Sequence, residues 1–394
     1  MEIIRYLWIL IQFMIGYNLV FPLVLWVMWL IFGKKSKSIN KFNEVSDYAI
    51  IVTAYEETST LPAVVDSILR LKNHNFVAYI VADNCDISEL QFEDARIIVL
   101  RPPEVLRSNT ASHRYAAKHF VRNHNRVTII DSDNLVHPNF LDALKNGFDS
   151  GYSAIQGLRA PKNTDSTLAR LDAARDIYYH FYDGKVLFEL GSSATLAGSG
   201  MAFEAGLYRD FLDEVQVEGA GFDKVLQNHI VGRNIRIAFV EDAIVYDEKT
   251  TKSDQLVNQR SRWINTWFKY FKLGFGLLYK GLSTFSINQL LFGMVLLRPP
   301  LFIFLLLSLL FLVANLFVSI IGAMVWGLAL LMFVMGFMVA LWCSNTPKSV
   351  YRSLTNIPVF IFHQVISLVK SRSANKRSVA TKHYHAHTIN TLKK

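Results

Sequence analysis

Cysteine is nearly absent from the 394 residues: Cys85 and Cys343 stand far apart with no His or Cys at ligand spacing, which excludes a disulfide framework and a zinc finger. Acidic residues stop at Asp254. Beyond it come 15 Lys and Arg with no Asp or Glu, whereas the first 254 residues carry 26 Lys and Arg against 32 Asp and Glu. The formal charge of +9 is therefore a property of the C-terminal part. A nucleic-acid binder would spread its basic residues over the folded body, so no nucleic acid is expected as a partner, and the basic stretch reads as facing anionic membrane lipids. There is no GxxxxGK[ST] sequence and no GxGxxG after the first strand-like run, which removes the P-loop and the dinucleotide fingerprint. With 52% hydrophobic residues the chain is too apolar to be disordered, and its length calls for at least two structural units.

Two long runs lack charge altogether. Residues 6–33 form 28 uncharged positions; at about 1.5 Å rise per residue they exceed the roughly 30 Å hydrocarbon core. The run ends in Lys34, Lys35, Lys37 and Lys41 rather than in a small-residue cleavage site, so a retained membrane helix over residues 1–33 is expected. Residues 299–347 are uncharged again and long enough for two spans, read as a hairpin over 299–343 with a turn near Gly322. With three spans, the lysines after residue 33, the basic residues of 260–298 and the 344–394 tail share one side. Positive charge beside spans marks the cytoplasmic face, so the expected protein is a multi-pass protein of the cell (inner or plasma) membrane with its main domain in the cytoplasm. Residues 354–370 are apolar but broken by Pro358 and His363 and flanked by basic residues, which favours a helix lying in the interface over a fourth span.

Between these membrane parts, residues 44–255 alternate β-rich runs, YAIIVTAY (48–55), FVAYIVAD (76–83), ARIIVL (95–100) and RVTIIDSD (126–133), with amphipathic segments. That alternation predicts a layered α/β domain on a mainly parallel sheet. Ligands of such sheets sit outside the carboxyl ends of the strands, where Tyr55-Glu56-Glu57, Asp83-Asn84 and Asp131-Ser132-Asp133 fall. Asp131 and Asp133, one residue apart on a turn after an apolar strand, can bind a hard divalent cation, which in turn can hold a diphosphate; Asp-x-Asp also occurs in ordinary turns and helix caps.

Gln259-Arg260-Ser261-Arg262-Trp263 is a QxxRW sequence just ahead of the membrane hairpin. Together with the strand-terminal DSD it resembles membrane-bound family 2 glycosyltransferases, the group of cellulose, chitin, hyaluronan and poly-N-acetylglucosamine synthases. IVTAYEE (51–57), VADN (81–84), DSDN (131–134), QGLRAPKN (156–163), AGSGMAF (197–203) and FDKVL (222–226) match that group's segments in order, over roughly residues 48–267. The resemblance implies a GT-A fold followed by interface helices over 256–298, and transfer of a sugar with inversion from a nucleotide donor, UDP-linked, to a growing polysaccharide or a lipid-linked acceptor. It implies Tyr55, Glu57, Asp83, Asp131 and Arg262 as nucleotide-sugar contacts, Asp133 with Asp131 as holders of a Mg or Mn ion, and Gln259 and Trp263 on the acceptor side. Asp223 matches the general base: it aligns with the aspartate of TEDxxL and begins a helical pattern, where the helix dipole favours its ionised form. If Asp223 only caps that helix, the base is to be sought at Asp242, Asp247 or Glu248.

Two features depart from the group. Phe222 stands where Glu is usual, and RSNTASHRYAAKHF (107–120) replaces the usual Gly-Lys segment. Three spans are fewer than a self-contained export channel has, so a polysaccharide product would require an oligomer or an export partner. A different class of reading is a non-catalytic membrane regulator that binds a nucleotide sugar. His383, His385 and His387 alternate in the tail and could ligate metal on one side of a strand, but a packing role is the preferred reading.

Overall fold

A computed structural model describes residues 2–33, 45–217, 219–372, 374 and 389. Lys34, Lys35, Lys37, Lys41, His383, His385 and His387 lie outside the described residues. Eight strands form one sheet: β1 (Tyr48–Tyr55), β2 (Phe76–Asp83), β3 (Ile97–Leu100), β4 (Arg126–Asp131), β5 (Leu135–Val136), β6 (Ala154–Pro161), β7 (Met201–Glu204) and β8 (Ile237–Asp247). Their order is β3-β2-β1-β4-β7-β6-β8-β5. The first four are parallel, as the sequence predicts. β7 runs antiparallel to both β4 and β6, which makes the second half mixed.

The parallel strands are mostly apolar, as strands covered on both faces are. Ile51, Tyr79 and Ile129 belong to one buried cluster, and Ile50, Ala78 and Ile130 to the other, the period-2 alternation of a pleated strand. The second cluster packs under the helices Leu61–Leu69 and Phe140–Asp149. The first continues through Phe181 and Tyr182 into Leu19, Phe304, Trp326 and Phe333, so the core of the domain and the core of the membrane helices are one.

Among the described residues three helices are long and apolar enough to cross a membrane: Glu2–Phe32, Leu301–Val318 and Ile320–Cys343. The last two pair antiparallel, Phe304 against Phe333 and Phe311 against Trp326. The hairpin turns at Ser319, just ahead of Gly322. The Ser319 hydroxyl accepts from the Gly322 amide at 3.2 Å and so starts the second helix at once. Gly322 serves instead to let the helices approach, since a Cβ there would collide with Asn315. Gln12 accepts from Trp326 Nε1 at 2.7 Å and from Asn315 Nδ2 at 2.6 Å, near the turn. At the other end of the first helix, Trp29 Nε1 donates to Glu189 at 2.6 Å. The N-terminal end and the hairpin turn thus lie together, away from the domain. The tail helix, Ile357–Lys370, has 14 residues and spans about 21 Å, too short to cross. It lies along the QxxRW helix, Ser253–Tyr270: Ser261 Oγ donates to the Ser367 carbonyl at 3.0 Å and Asn265 Nδ2 to that of Ser371 at 3.0 Å.

Candidate active site

The carboxyl ends of β1, β2 and β4 open on a cavity of about 1460 Å³. The residues expected to contact donor, metal and acceptor, and the first candidate base, all line it: Tyr55, Glu57, Asp83, Asp131, Asp133, Asp223, Gln259, Arg262 and Trp263. Of the fallback bases, Asp247 and Glu248 line it as well, while Asp242 is exposed in mid-β8 and does not.

The strand ends are held in an unusual backbone. Glu56, Asn84 and Arg107 have φ of 60°, 54° and 51°, the left-handed region that costs a non-glycine residue about 1 kcal/mol or more. Asn84 Nδ2 donates to Glu56 at 3.1 Å and locks the first two turns together. Asp83 is buried and accepts the amides of Leu106 and Arg107 at 2.9 and 2.8 Å, one on each oxygen. Its carboxylate therefore shapes the 106–107 turn as well as facing the cavity. Glu57 accepts the Thr58 and Ser59 amides at 3.1 and 2.9 Å, a local turn contact. The neighbouring Glu56 acceptor pushes the Tyr55 phenol above its ordinary value.

The turn Asp131-Ser132-Asp133 is fixed from below. Ser199 Oγ accepts from the Asp131 amide at 3.1 Å and from Asn134 Nδ2 at 2.9 Å, and the Asp131 carbonyl accepts from the Asn134 amide at 3.1 Å. Among the described residues no group of three His, Cys, Asp or Glu is placed to hold a metal. Two carboxylates fit a hard cation whose remaining ligands are diphosphate and water oxygens, as Mg or Mn accepts. Beside this turn the helix Asn109–Lys118 begins at Ser108, whose hydroxyl accepts from the Ala111 amide at 3.4 Å, and Ser108 and Asn109 also line the cavity. The departing RSNTASH segment thus still aims a helix N-terminus at the site, a place favourable to phosphate.

Asp223 occupies the first turn of the helix Phe222–Gly232, as expected from the pattern. The turn before it passes through Gly221 at φ 99°, where a Cβ would meet the Tyr270 ring at 2.7 Å and Thr266 Cγ2 at 2.6 Å. Only glycine lets this turn close on the QxxRW helix, which carries Arg262 and Trp263 into the same cavity as Asp223. The Lys224 ammonium is 3.4 Å from the Asp223 carboxylate. Phe222, in place of Glu, is buried edge-on against His113 at 5.2 Å.

Arg260 is 2% exposed and ion-paired with Asp172. Its guanidinium sits 4.0 Å from the centroid of Trp263, and that of Arg175 sits 4.7 Å away. The Trp263 indole is therefore packed by two cations, with about a third of its surface left exposed.

A buried charge network on the opposite wall was not legible in the sequence. Lys249 pairs with Asp176 and, at 2.6 Å, with Asp247; Arg159 reaches Asp247 at 2.8 Å. Burial works to raise the Asp176 and Asp247 carboxyls, but Lys249 and Arg159, with Arg175 beside Asp176, hold both below the ordinary range. Asp183 pairs with Arg298, 115 residues later, on the π-helical stretch His180–Val186. The one local sign was Asp172, Arg175 and Asp176 at helical spacing in the otherwise apolar helix Thr167–Tyr179.

The sequence profile of the family described as glycosyltransferase like family 2 matches residues 46–266, more than half of the chain. No curated sequence matches significantly. The mannosyltransferase PcManGT from Pyrobaculum calidifontis, solved with GDP-Man and Mn2+, superposes with a TM-score of 0.54 at 13% identity, covering 91% of this chain and 97% of its own. TarS 1-349 from S. aureus superposes at 0.41 and 13% identity, covering 84% of this chain and 90% of its own. The shared sheet and its order are those of a GT-A domain, here joined to helices able to span a membrane. By profile and by fold, the chain belongs to glycosyltransferase family 2 and is a glycosyltransferase.

Proposed function

We propose that the protein transfers a sugar, with inversion, from a UDP-linked donor to an acceptor presented at the cytoplasmic face of the cell membrane. One observation carries this reading: Asp131, Asp133, Asp223, Arg262 and Trp263, dispersed over 130 residues of sequence, line a single cavity at the strand ends. A divalent ion held by Asp133, with Asp131 beside it, would supply Lewis-acid neutralisation of the departing diphosphate. Arg262 adds a guanidinium fork for phosphate oxygens, and the N-terminus of Asn109–Lys118 adds backbone amides. Asp223 takes the proton of the acceptor hydroxyl as its oxygen bonds to C1; the bond from C1 to the diphosphate oxygen breaks, and its electron pair leaves with the nucleotide. No second acid is required, because the diphosphate leaves as a stabilised anion.

The charge pattern supports Asp223 over the other carboxylates. Asp172, Asp176, Asp183 and Asp247 are each neutralised by a buried cation, and Asp83 and Glu57 serve backbone amides. Among the described residues Asp223 lines the cavity with a partly exposed lysine as its ion-pair partner, whereas Glu248 faces the buried Lys162 at 4.0 Å. A panel of UDP- and GDP-sugars, each tested for nucleotide release by the purified protein with Mg2+ or Mn2+, checks the proposal. Release from UDP-sugars bears it out; release from GDP-sugars alone overturns the donor assignment, and release from none leaves the regulator reading.

A further inference from the structure

The cavity does not end at the polar site. Past Arg298 its walls become Leu305 and Leu309 of one hairpin helix, Phe333, Val334 and Met338 of the other, and Ile361 of the tail helix. At 1460 Å³ it exceeds the roughly 300–1,000 Å³ of a single-ligand pocket. Leu309, Val334 and Met338 are 49%, 54% and 39% exposed on helices long enough to span a bilayer, so this end opens toward hydrocarbon rather than water. A hydrophilic glycan has nothing to bind there. At the junction of the two halves lie guanidinium nitrogens with no hydrogen-bond partner among the described residues: Nη1 of Arg298, and Nε and Nη1 of Arg260, both side chains more than nine-tenths buried. Buried donors of this kind are costly unless an acceptor group completes them.

Resting on the transferase reading above, we propose that the acceptor is a lipid-linked sugar that enters sideways from the bilayer. Its hydrocarbon chain lies between the hairpin and the tail helix, and the phosphate joining chain to sugar lies at Arg298 and Arg260. The headgroup is a sugar rather than a bare phosphate because the site holds a candidate base: a hydroxyl nucleophile must lose a proton, which Asp223 accepts, whereas an ionised phosphate oxygen has none to lose. The hydroxyl oxygen bonds to the donor C1 while the nucleoside diphosphate departs with the electron pair of the broken bond. The cavity thus joins a water-borne donor to a membrane-borne acceptor without requiring a polysaccharide channel.

The test compares three acceptors with the full-length protein in nanodiscs: a prenyl-phosphate-linked N-acetylglucosamine, N-acetylglucosamine phosphate without a chain, and an alkyl glycoside with a chain but no phosphate. The lipid phosphate is expected to exceed each of the other two by at least 10-fold in kcat/KM. Leu305→Trp, which fills the crevice, should raise its KM at least 5-fold, whereas Leu310→Trp, 61% exposed on the outward face of the same helix, should not. Equal use of the chainless acceptor, or an unchanged KM in Leu305→Trp, overturns the lateral lipid site. Equal use of the alkyl glycoside overturns the phosphate assignment. Nucleotide release to water is followed separately. If it occurs without transfer to the lipid, the acceptor proposal alone fails; if no release occurs with any donor, the transferase reading fails.

Discussion

Replacing Asp223 by Asn separates chemistry from architecture. The side chain lies in the first turn of its helix, 3.4 Å from Lys224 and about one-fifth exposed, and the turn itself is shaped by Gly221 against Tyr270 and Thr266. Asn keeps the volume and an acceptor oxygen. It removes one negative charge from a helix N-terminus, a loss of about 0.3–1 kcal/mol, which is too small to unfold a domain. As a general base, Asp223 is expected to contribute about 10²–10⁴ in rate, equivalent to about 3–5 kcal/mol of barrier. The account therefore expects turnover to fall at least about 100-fold while the melting temperature and the dissociation constant for UDP stay near wild type. Steady-state transfer rates, differential scanning fluorimetry and calorimetric UDP titration measure the three quantities on one preparation. Turnover within a factor of about three of wild type would refute the base assignment. Asp247 would not then be an attractive replacement, because Arg159 and Lys249 already hold its carboxylate.

Further expectations can be checked alongside. Asp133→Ala should abolish transfer without loss of fold, and EDTA should do the same to the wild type; transfer in EDTA contradicts a metal-dependent step. Arg298→Ala strands Asp183 without its buried partner and should destabilise the protein by about 3–5 kcal/mol in denaturant titrations, whereas a surface pair such as Arg70 with Asp66 should be worth less than about 1 kcal/mol. His113 is fully buried, which pushes its imidazole down to about 3. The unfolded chain therefore binds a proton below pH 6.5 that the folded chain refuses, and stability should fall by about 1.4 kcal/mol per pH unit from there toward pH 3; His113→Phe should flatten that slope in melts run from pH 7 to 5. In a Cys343→Ala background, a cysteine at Ser319 should react with an impermeant label on intact cells and one at Thr355 should not; the reverse pattern would invert the topology.

Strands β1, β2, β3 and β4 were legible because they read as short, mostly apolar runs, of which β1, β2 and β4 end at the candidate site acids. Strand β8 was hidden. It carries exposed Glu241 and Asp242 in mid-strand, where the pairing with β6 shifts register between Gly157 and Leu158, and this breaks the alternation that marks a strand. Two cavity-lining acids were legible for the same reason as the strands: Asp83 and Asp131 directly end β2 and β4. The wall opposite them was not, since Asp183 with Arg298 and Asp172 with Arg260 are pairings across 115 and 88 residues, set by the packing of the membrane-proximal helices and by no local spacing. The hairpin turn falls at Ser319, which ends one helix and caps the next, while the nearby Gly322 serves close helix contact.

The central claim is that the DSD turn and Asp223 together make a metal-dependent sugar-transfer site, and the most direct measurement is nucleoside diphosphate release from nucleotide sugars by the purified wild type beside Asp133→Ala, with Mn2+ and with EDTA. The account predicts release by the wild type with Mn2+ only, and none by Asp133→Ala in either condition. Equal release by Asp133→Ala, or release by the wild type in EDTA, would contradict it.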